Sequence, residues 1–156
     1  MSDVCLTFLT AMTPIGELRA SIPLGLATFD LPIWQVFVVS VAGNLVPVPF
    51  LFFGLRRSGS WFEAQPNIIG RLLRWRTHRI RKRYGARAAR YDFLMVTLLV
   101  AIPLPLTGAW TASLAIWVFQ VPFRRGVPAI ALGVLIAATL VTTLTVMGIE
   151  FFDRID

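Results

Sequence analysis

Three long apolar stretches dominate the chain, at residues 34–55, 93–119 and 127–152. A helix of about 20 apolar residues, rising about 1.5 Å per residue, crosses a hydrocarbon core of about 30 Å, so the pattern predicts membrane helices. A first apolar stretch, 6–28, is interrupted around Pro14, Gly16 and Pro23, and the run 93–119 is interrupted at Pro103-Leu-Pro105. The pieces on either side of Pro103 and Pro105 are about 10 to 13 residues, or roughly 15 to 20 Å as helix, and reach only about mid-bilayer. Proline lacks a backbone donor and disfavours helix in the residue before it. Pro14, Gly16, Pro23, Pro103 and Pro105 are therefore read as the breaks of two re-entrant helical hairpins.

Charge decides sidedness. Eleven of the fifteen Lys/Arg residues lie between Arg56 and Arg90, with Glu63 as the single acid among them. Loops rich in Lys and Arg stay in the cytoplasm. If 93–119 dips in and returns, Arg124 and Arg125 stay on that side; a single crossing would expel them. The same logic makes the first stretch an external hairpin, followed by an inward crossing at 34–55 and an outward one at 127–152. Both termini then lie outside, with Asp3, Asp30, Glu150, Asp153 and Asp156, and the chain is a multi-pass protein of the cell (inner, cytoplasmic) membrane. Within the basic loop, Pro66-Asn67 reads as a helix start. Ile68, Ile69, Leu72, Leu73, Ile80 and Tyr84 recur among arginines at helical spacing, the pattern of an amphipathic interfacial helix. A purely topological role accounts for this loop first, with binding of anionic lipid headgroups as the alternative.

An offset of 90 residues relates Phe29 to Phe119, Pro32 to Pro122 and Gly43 to Gly133, with Leu24 and Leu114, and Leu45 and Leu135, alongside. Both halves follow one plan, a broken apolar segment and then an unbroken one containing glycine. Paired interrupted segments of this kind mark repeat-built transporters. The fold class is thus an all-α polytopic membrane protein, an inverted repeat of re-entrant hairpin plus transmembrane helix. It forms a single membrane domain over 1–156, divided into repeat 1 (1–55), the basic loop (56–91) and repeat 2 (92–156).

Composition agrees: 56% of residues are hydrophobic and 15% charged, against about 25% charged in soluble domains. The net charge of +7 sits in one loop, where topology accounts for it and a nucleic-acid partner is not implied. Cys5 and His78 are the only residues of their types, so neither a disulfide nor a metal cluster is expected. No glycine-rich nucleotide fingerprint follows a strand, so no cofactor is expected. Nor does any nucleophile and base pair suggest an enzyme. The Met-Ser-Asp start lacks a positive leader, so no cleaved signal is expected.

The exception to the apolar pattern is Pro14-Ile-Gly-Glu17-Leu-Arg19-Ala-Ser-Ile-Pro23-Leu-Gly25, which carries a carboxylate and a guanidinium just past the first break. A charge at the bilayer centre costs roughly 2.5 to 3.5 kcal/mol on insertion scales, so such residues line cavities and pair. Residues two apart on a helix do not face each other, so a Glu17–Arg19 pair requires a non-helical break. Asn44, Thr107, Trp110, Thr111 and Ser113 are the other candidate partners. Burial drives a carboxyl toward its protonated form and an adjacent arginine opposes this; an anion that occupies the arginine therefore switches the proton. Glu17 is accordingly read as a proton-coupling group, and Arg19, Asn44, Thr107, Gly108, Trp110 and Thr111 as substrate-binding. The two hairpin tips are expected to meet, because a backbone break at membrane depth must be satisfied by protein or a water-filled cavity.

The order and spacing of the 14–25 stretch, Gly43-Asn-Leu-Val-Pro-Val-Pro49 and Ala101-Ile-Pro-Leu-Pro-Leu-Thr-Gly-Ala-Trp-Thr111 resemble those of the small multidrug export protein family. More distantly they are similar to DedA-like (VTT-domain) membrane proteins. The second resemblance implies two facing re-entrant hairpins, an acidic group on the first, matched by Glu17, and transport or flipping of lipids or polyprenyl-phosphate carriers. Residues 104–113 hold no arginine to match that family's second hairpin; Arg19 supplies the positive charge instead. The expected function is a proton-coupled carrier or flippase for an anionic or amphipathic lipid-like substrate, with drug export as a variant. The alternative is a non-catalytic membrane scaffold or assembly factor docking through its basic loop. Membrane lipids are the expected partners, with a homo-oligomer as a further form.

Overall fold

The computed structural model describes residues 2–64, 86–102, 108–118 and 121–154. All its elements are helical: α1 (Asp3–Met12), α2 (Glu17–Pro23) continued by a π-helical turn (Leu24–Thr28), α3 (Ile33–Leu45), α4 (Pro47–Ala64), α5 (Ala86–Ala101), α6 (Ala109–Val118) and α7 (Phe123–Asp153). The basic segment's interfacial helix, with residues 65–85, lies outside the described residues. At its flanks α4 runs on to Ala64 and α5 begins at Ala86, so the helices extend into the stretch read as loop.

Among the described residues, two helices are long and apolar enough to cross a membrane. Ile33–Arg57, 25 residues with a mean hydropathy of 2.1, combines α3 and the start of α4; Phe123–Phe152, 30 residues with a mean hydropathy of 2.3, lies within α7. They would span about 38 Å and 45 Å as regular helix. Pro47 and Pro49 interrupt the amide ladder where α3 passes into α4 at Val46, which keeps helical dihedrals. Along α7, Leu132, Leu135, Ile136, Leu140, Leu144 and Met147 are exposed, whereas Ala129, Ile130, Val134, Ala137, Ala138 and Val141 are buried. Apolar side chains outside and small ones inside suit a lipid-facing helix whose inner face lets neighbours approach closely.

Some features of one half recur in the other. Pro32 and Pro122 both stand in extended conformation as N-caps of the long helices α3 and α7. Gly43 of α3 is pressed against Phe8 and Ala11 of α1, and Gly133 of α7 against Thr97 and Val100 of α5; a side chain at either glycine would clash with the facing helix. The second limb of each half also meets the following long helix through one small and one large residue. In the first half Gly25 faces Val36, and in the second Ile116 faces Gly126. Thr7 and Thr97, likewise 90 apart, are both buried.

Pro23 does not break the helix. It sits at the end of α2, and the helix continues through Thr28 in π geometry. The missing Pro23 amide leaves the ladder one donor short, and the chain widens, with Phe29 N–H reaching Leu24 O at 3.2 Å. The interruption on this side is confined to residues 13–16. Pro103 and Pro105 lie outside the described residues, between the end of α5 and Gly108.

Candidate functional site

The site is assembled from the break at residues 13–16 outward. Thr13 Oγ1 donates to Thr10 O at 2.8 Å and accepts from Gly16 N–H at 3.0 Å, and Glu17 N–H donates to Thr13 O at 3.2 Å. The turn thus satisfies polar groups of its own backbone, the condition for a non-helical segment away from water. Gly16 permits this compactness, because a Cβ there would meet Thr10 O at 2.5 Å and Thr13 Oγ1 at 2.7 Å. Ile15 projects from the tip, 95% exposed.

Glu17 follows with φ 44°. A glutamate in the left-handed region costs roughly 1–2 kcal/mol, and such outliers persist where surrounding structure holds them. The side chain shows what holds this one. It is buried, at 8% exposure, and its carboxylate accepts a hydrogen bond from the Trp110 backbone N–H. Trp110 is the second residue of α6, whose first-turn amides have no partners within the helix and carry the positive end of its dipole. Glu17 therefore caps a helix from the other half of the chain. Gly108 makes the approach possible, since a Cβ at that position would run into the Glu17 carboxylate. A second link runs from Trp110 Nε1–H to Met12 O at 3.1 Å. The indole and the backbone of one residue thus tie α6 to both sides of the first break.

Arg19 lies close enough to act electrostatically on Glu17. The irregular backbone at Glu17 permits what a regular helix would prevent for residues two apart. Glu17, Arg19, Asn44 and Gly108 line one small cavity, closed by Leu18, Val100, Ala137 and Val141, with a volume of about 10 Å³, about that of one water. Arg19 is the only other ionisable residue in its wall. Asn44 is 1% exposed, and its Oδ1 has no hydrogen-bond partner among the described residues.

Of the residues predicted from sequence, Glu17, Arg19, Asn44 and Gly108 come together around this cavity, and Trp110 joins them through its amide. Thr111 does not line the cavity, and Thr107 lies outside the described residues. Ser113 is buried and donates to Ala109 O at 2.6 Å, satisfied within its own helix. Ser21, Ser40, Thr7 and Thr97 escaped sequence reasoning. The 90-residue offset between Thr7 and Thr97 was the available signal for the last two.

On its far side, the Trp110 indole borders an open apolar groove of about 320 Å³, formed with Pro47, Phe50, Leu51, Gly54 and Leu55 of α4. Trp110 therefore belongs to both the polar cavity's surroundings and the groove.

The family described as "Putative small multi-drug export protein" matches residues 17–140, from the buried glutamate to well inside α7. The chain belongs to this family. No curated protein and no solved structure matches it, and the expected likeness to DedA-like proteins is not shown. The family's name denotes membrane export, in keeping with the two long apolar helices.

Proposed function

We propose that the protein is a proton-coupled carrier for an amphipathic substrate with an anionic headgroup, with Glu17 as the proton site and Arg19 and the start of α6 as the headgroup site. The observation that carries this reading is the Glu17 carboxylate on the Trp110 amide beside Arg19. An anionic headgroup would seek the same donors, the positive end of a helix and a guanidinium. It can take them only when Glu17 gives them up, and a protonated Glu17, having lost its charge, does so most readily. Proton and anion would then bind together. The apolar groove against the Trp110 indole offers a place for the substrate's hydrocarbon part, and its size lies at the lower end of the range for ligand pockets, about 300 to 1,000 Å³.

In this reading α1 with α2, and α5 with α6, are half-membrane hairpins that meet at their tips, and the halves form an inverted repeat. The matched contacts of Gly43 and Gly133, and of the Gly25–Val36 and Ile116–Gly126 pairs, support it. So does the internal satisfaction of the 13–16 turn.

Native mass spectrometry of protein extracted with its lipids tests the substrate class. Wild type should retain an anionic amphiphile, and Arg19→Leu should release it while the protein stays folded. Equal retention of zwitterionic and anionic lipids by both proteins would refute the headgroup site.

A further inference from the structure

Six hydroxyls in these helices, those of Thr7, Thr10, Ser113, Thr139, Thr143 and Thr145, donate to the carbonyl four residues earlier at 2.6 to 2.9 Å. This is the usual way for a serine or threonine to be satisfied in an apolar helix. Ser21 and Ser40, like Thr142 of α7, depart from it. Ser21 and Ser40 are fully buried, and neither Oγ has a partner among the described residues.

Their location is informative. Gly25 of the π-helical turn faces Val36 of α3, and Glu17 of α2 shares a cavity wall with Asn44 of α3. The two segments therefore run antiparallel, and stepping one helical turn from either contact brings Ser21 level with Ser40. Glu17 and Asn44, then Ser21 and Ser40, then Gly25 and Val36 with Thr7 beside them form successive levels. They lead from the buried carboxylate toward the end of the bundle that carries Asp3 and Asp30. Thr7, at the last level, donates to Asp3 O at 2.9 Å.

On α7 the column is not repeated, although Thr111 stands at the offset of Ser21. At the offset of 90 residues, Ile130 and Val134 of α7 replace Ser40 and Asn44 and are fully buried. The polar residues are thus not required by the packing of this helix pair, and burying a hydroxyl or amide without a partner costs roughly 1 to 3 kcal/mol. Water would meet the need with hydrogen bonds to each group, and the cavity beside Glu17 and Asn44 has room for about one. A monovalent cation would also suit oxygen donors, but Glu17 already has Arg19 and the α6 amides as counter-charges, and a further positive charge would stand uncompensated in a low-dielectric interior.

We infer that Asn44, Ser40 and Ser21 form a hydrated relay through which Glu17 exchanges its proton with the Asp3 and Asp30 face of the membrane. The inference rests on Glu17 as the proton site. It adds a one-sided route, the property an alternating-access carrier needs if proton entry and release are to occur on different faces. The proton passes from water to water along the hydroxyls and arrives on the Glu17 carboxylate, and no bond other than O–H is made or broken.

Infrared spectroscopy of the protein in lipid bilayers tests the relay. The carboxylic C=O band that disappears in Glu17→Gln reports protonated Glu17, and its shift after transfer to D2O gives the exchange rate. In Ser21→Ala/Ser40→Ala, which only shortens side chains, exchange should slow at least about tenfold, equivalent to a barrier raised by ~1.4 kcal/mol. Each single variant should show a smaller slowing. Ser113→Ala, an equally buried hydroxyl outside the column, should exchange at the wild-type rate. Unchanged exchange in a folded double variant would overturn the relay while leaving Glu17 as the proton site. Slowing of exchange by sodium but not by choline would overturn it in favour of a cation site. Absence of any band lost in Glu17→Gln would overturn the proton site and the relay together.

Discussion

The backbone N–H of Trp110 donates to the carboxylate of Glu17, so a side chain just past the break at residues 13–16 caps α6, a helix distant in sequence. A helix start and an anionic cap attract each other wherever both are buried, and here both lie within the family's matched region, residues 17–140. The relationship explains two features together: the left-handed backbone at Glu17 and the glycine at position 108.

Gly108→Ala tests the fit directly. The added methyl would occupy the carboxylate's place, so Glu17 must leave the α6 amides, at a cost of about 1 to 3 kcal/mol for a buried charged hydrogen bond. The melting temperature in detergent should fall clearly. Gly54→Ala and Gly148→Ala, where nothing lies within 4 Å of the new atom, should be neutral or stabilised by up to about 1 kcal/mol.

Trp110→Phe separates the two links made by that residue. The ring remains against the groove and the backbone amide remains on Glu17, but the bond from Nε1–H to Met12 O is lost. A loss of roughly 0.5 to 1.5 kcal/mol is expected, smaller than for Gly108→Ala. An equal or larger loss would mean that the indole bond, rather than the carboxylate cap, holds the two breaks together.

The extent to which all this was legible in the sequence follows from the range of each interaction. Apolar runs announce helices, and the helix starts after Pro32 and Pro122 were visible as matched prolines, because both signals lie within a few residues of what they specify. Glu17 and Arg19 stood out because charge is costly in an apolar stretch. Pro23 misled because a proline can widen a helix into π geometry as well as end it, and the choice depends on the helices packed around it. Which amide Glu17 would cap, and that Ser21 lies level with Ser40, depend on how segments distant in sequence come to face each other.

If the halves form an inverted repeat, Gly43 and Gly133 are equivalent close contacts. Gly43→Val and Gly133→Val should each push a neighbouring helix away and lower folded yield by similar amounts, with overpacking costs of about 1 to 3 kcal/mol. Gly54→Val should be milder. A severe defect at only one of the two positions would argue against equivalent roles.

Sidedness is tested with Cys5, the only native cysteine, replaced by serine. Single cysteines at Ser2 and Asp30 should react with an impermeant thiol reagent added outside intact cells, and a cysteine at Arg125 only after the membrane is opened. Labelling of position 125 from outside would replace the second hairpin with a single crossing.

The central claim is that Glu17 couples proton movement to the movement of an anionic amphiphile, and flux in proteoliposomes measures it most directly. Fluorescently tagged phosphatidylglycerol serves as the probe, and its transfer between leaflets is followed with and without an imposed pH gradient. Wild type should move the probe faster under the gradient. Glu17→Gln, which keeps size and hydrogen bonding but cannot release a proton, should move it at one rate in both conditions. A Glu17→Gln protein that still accelerates under the gradient as wild type does would contradict the account.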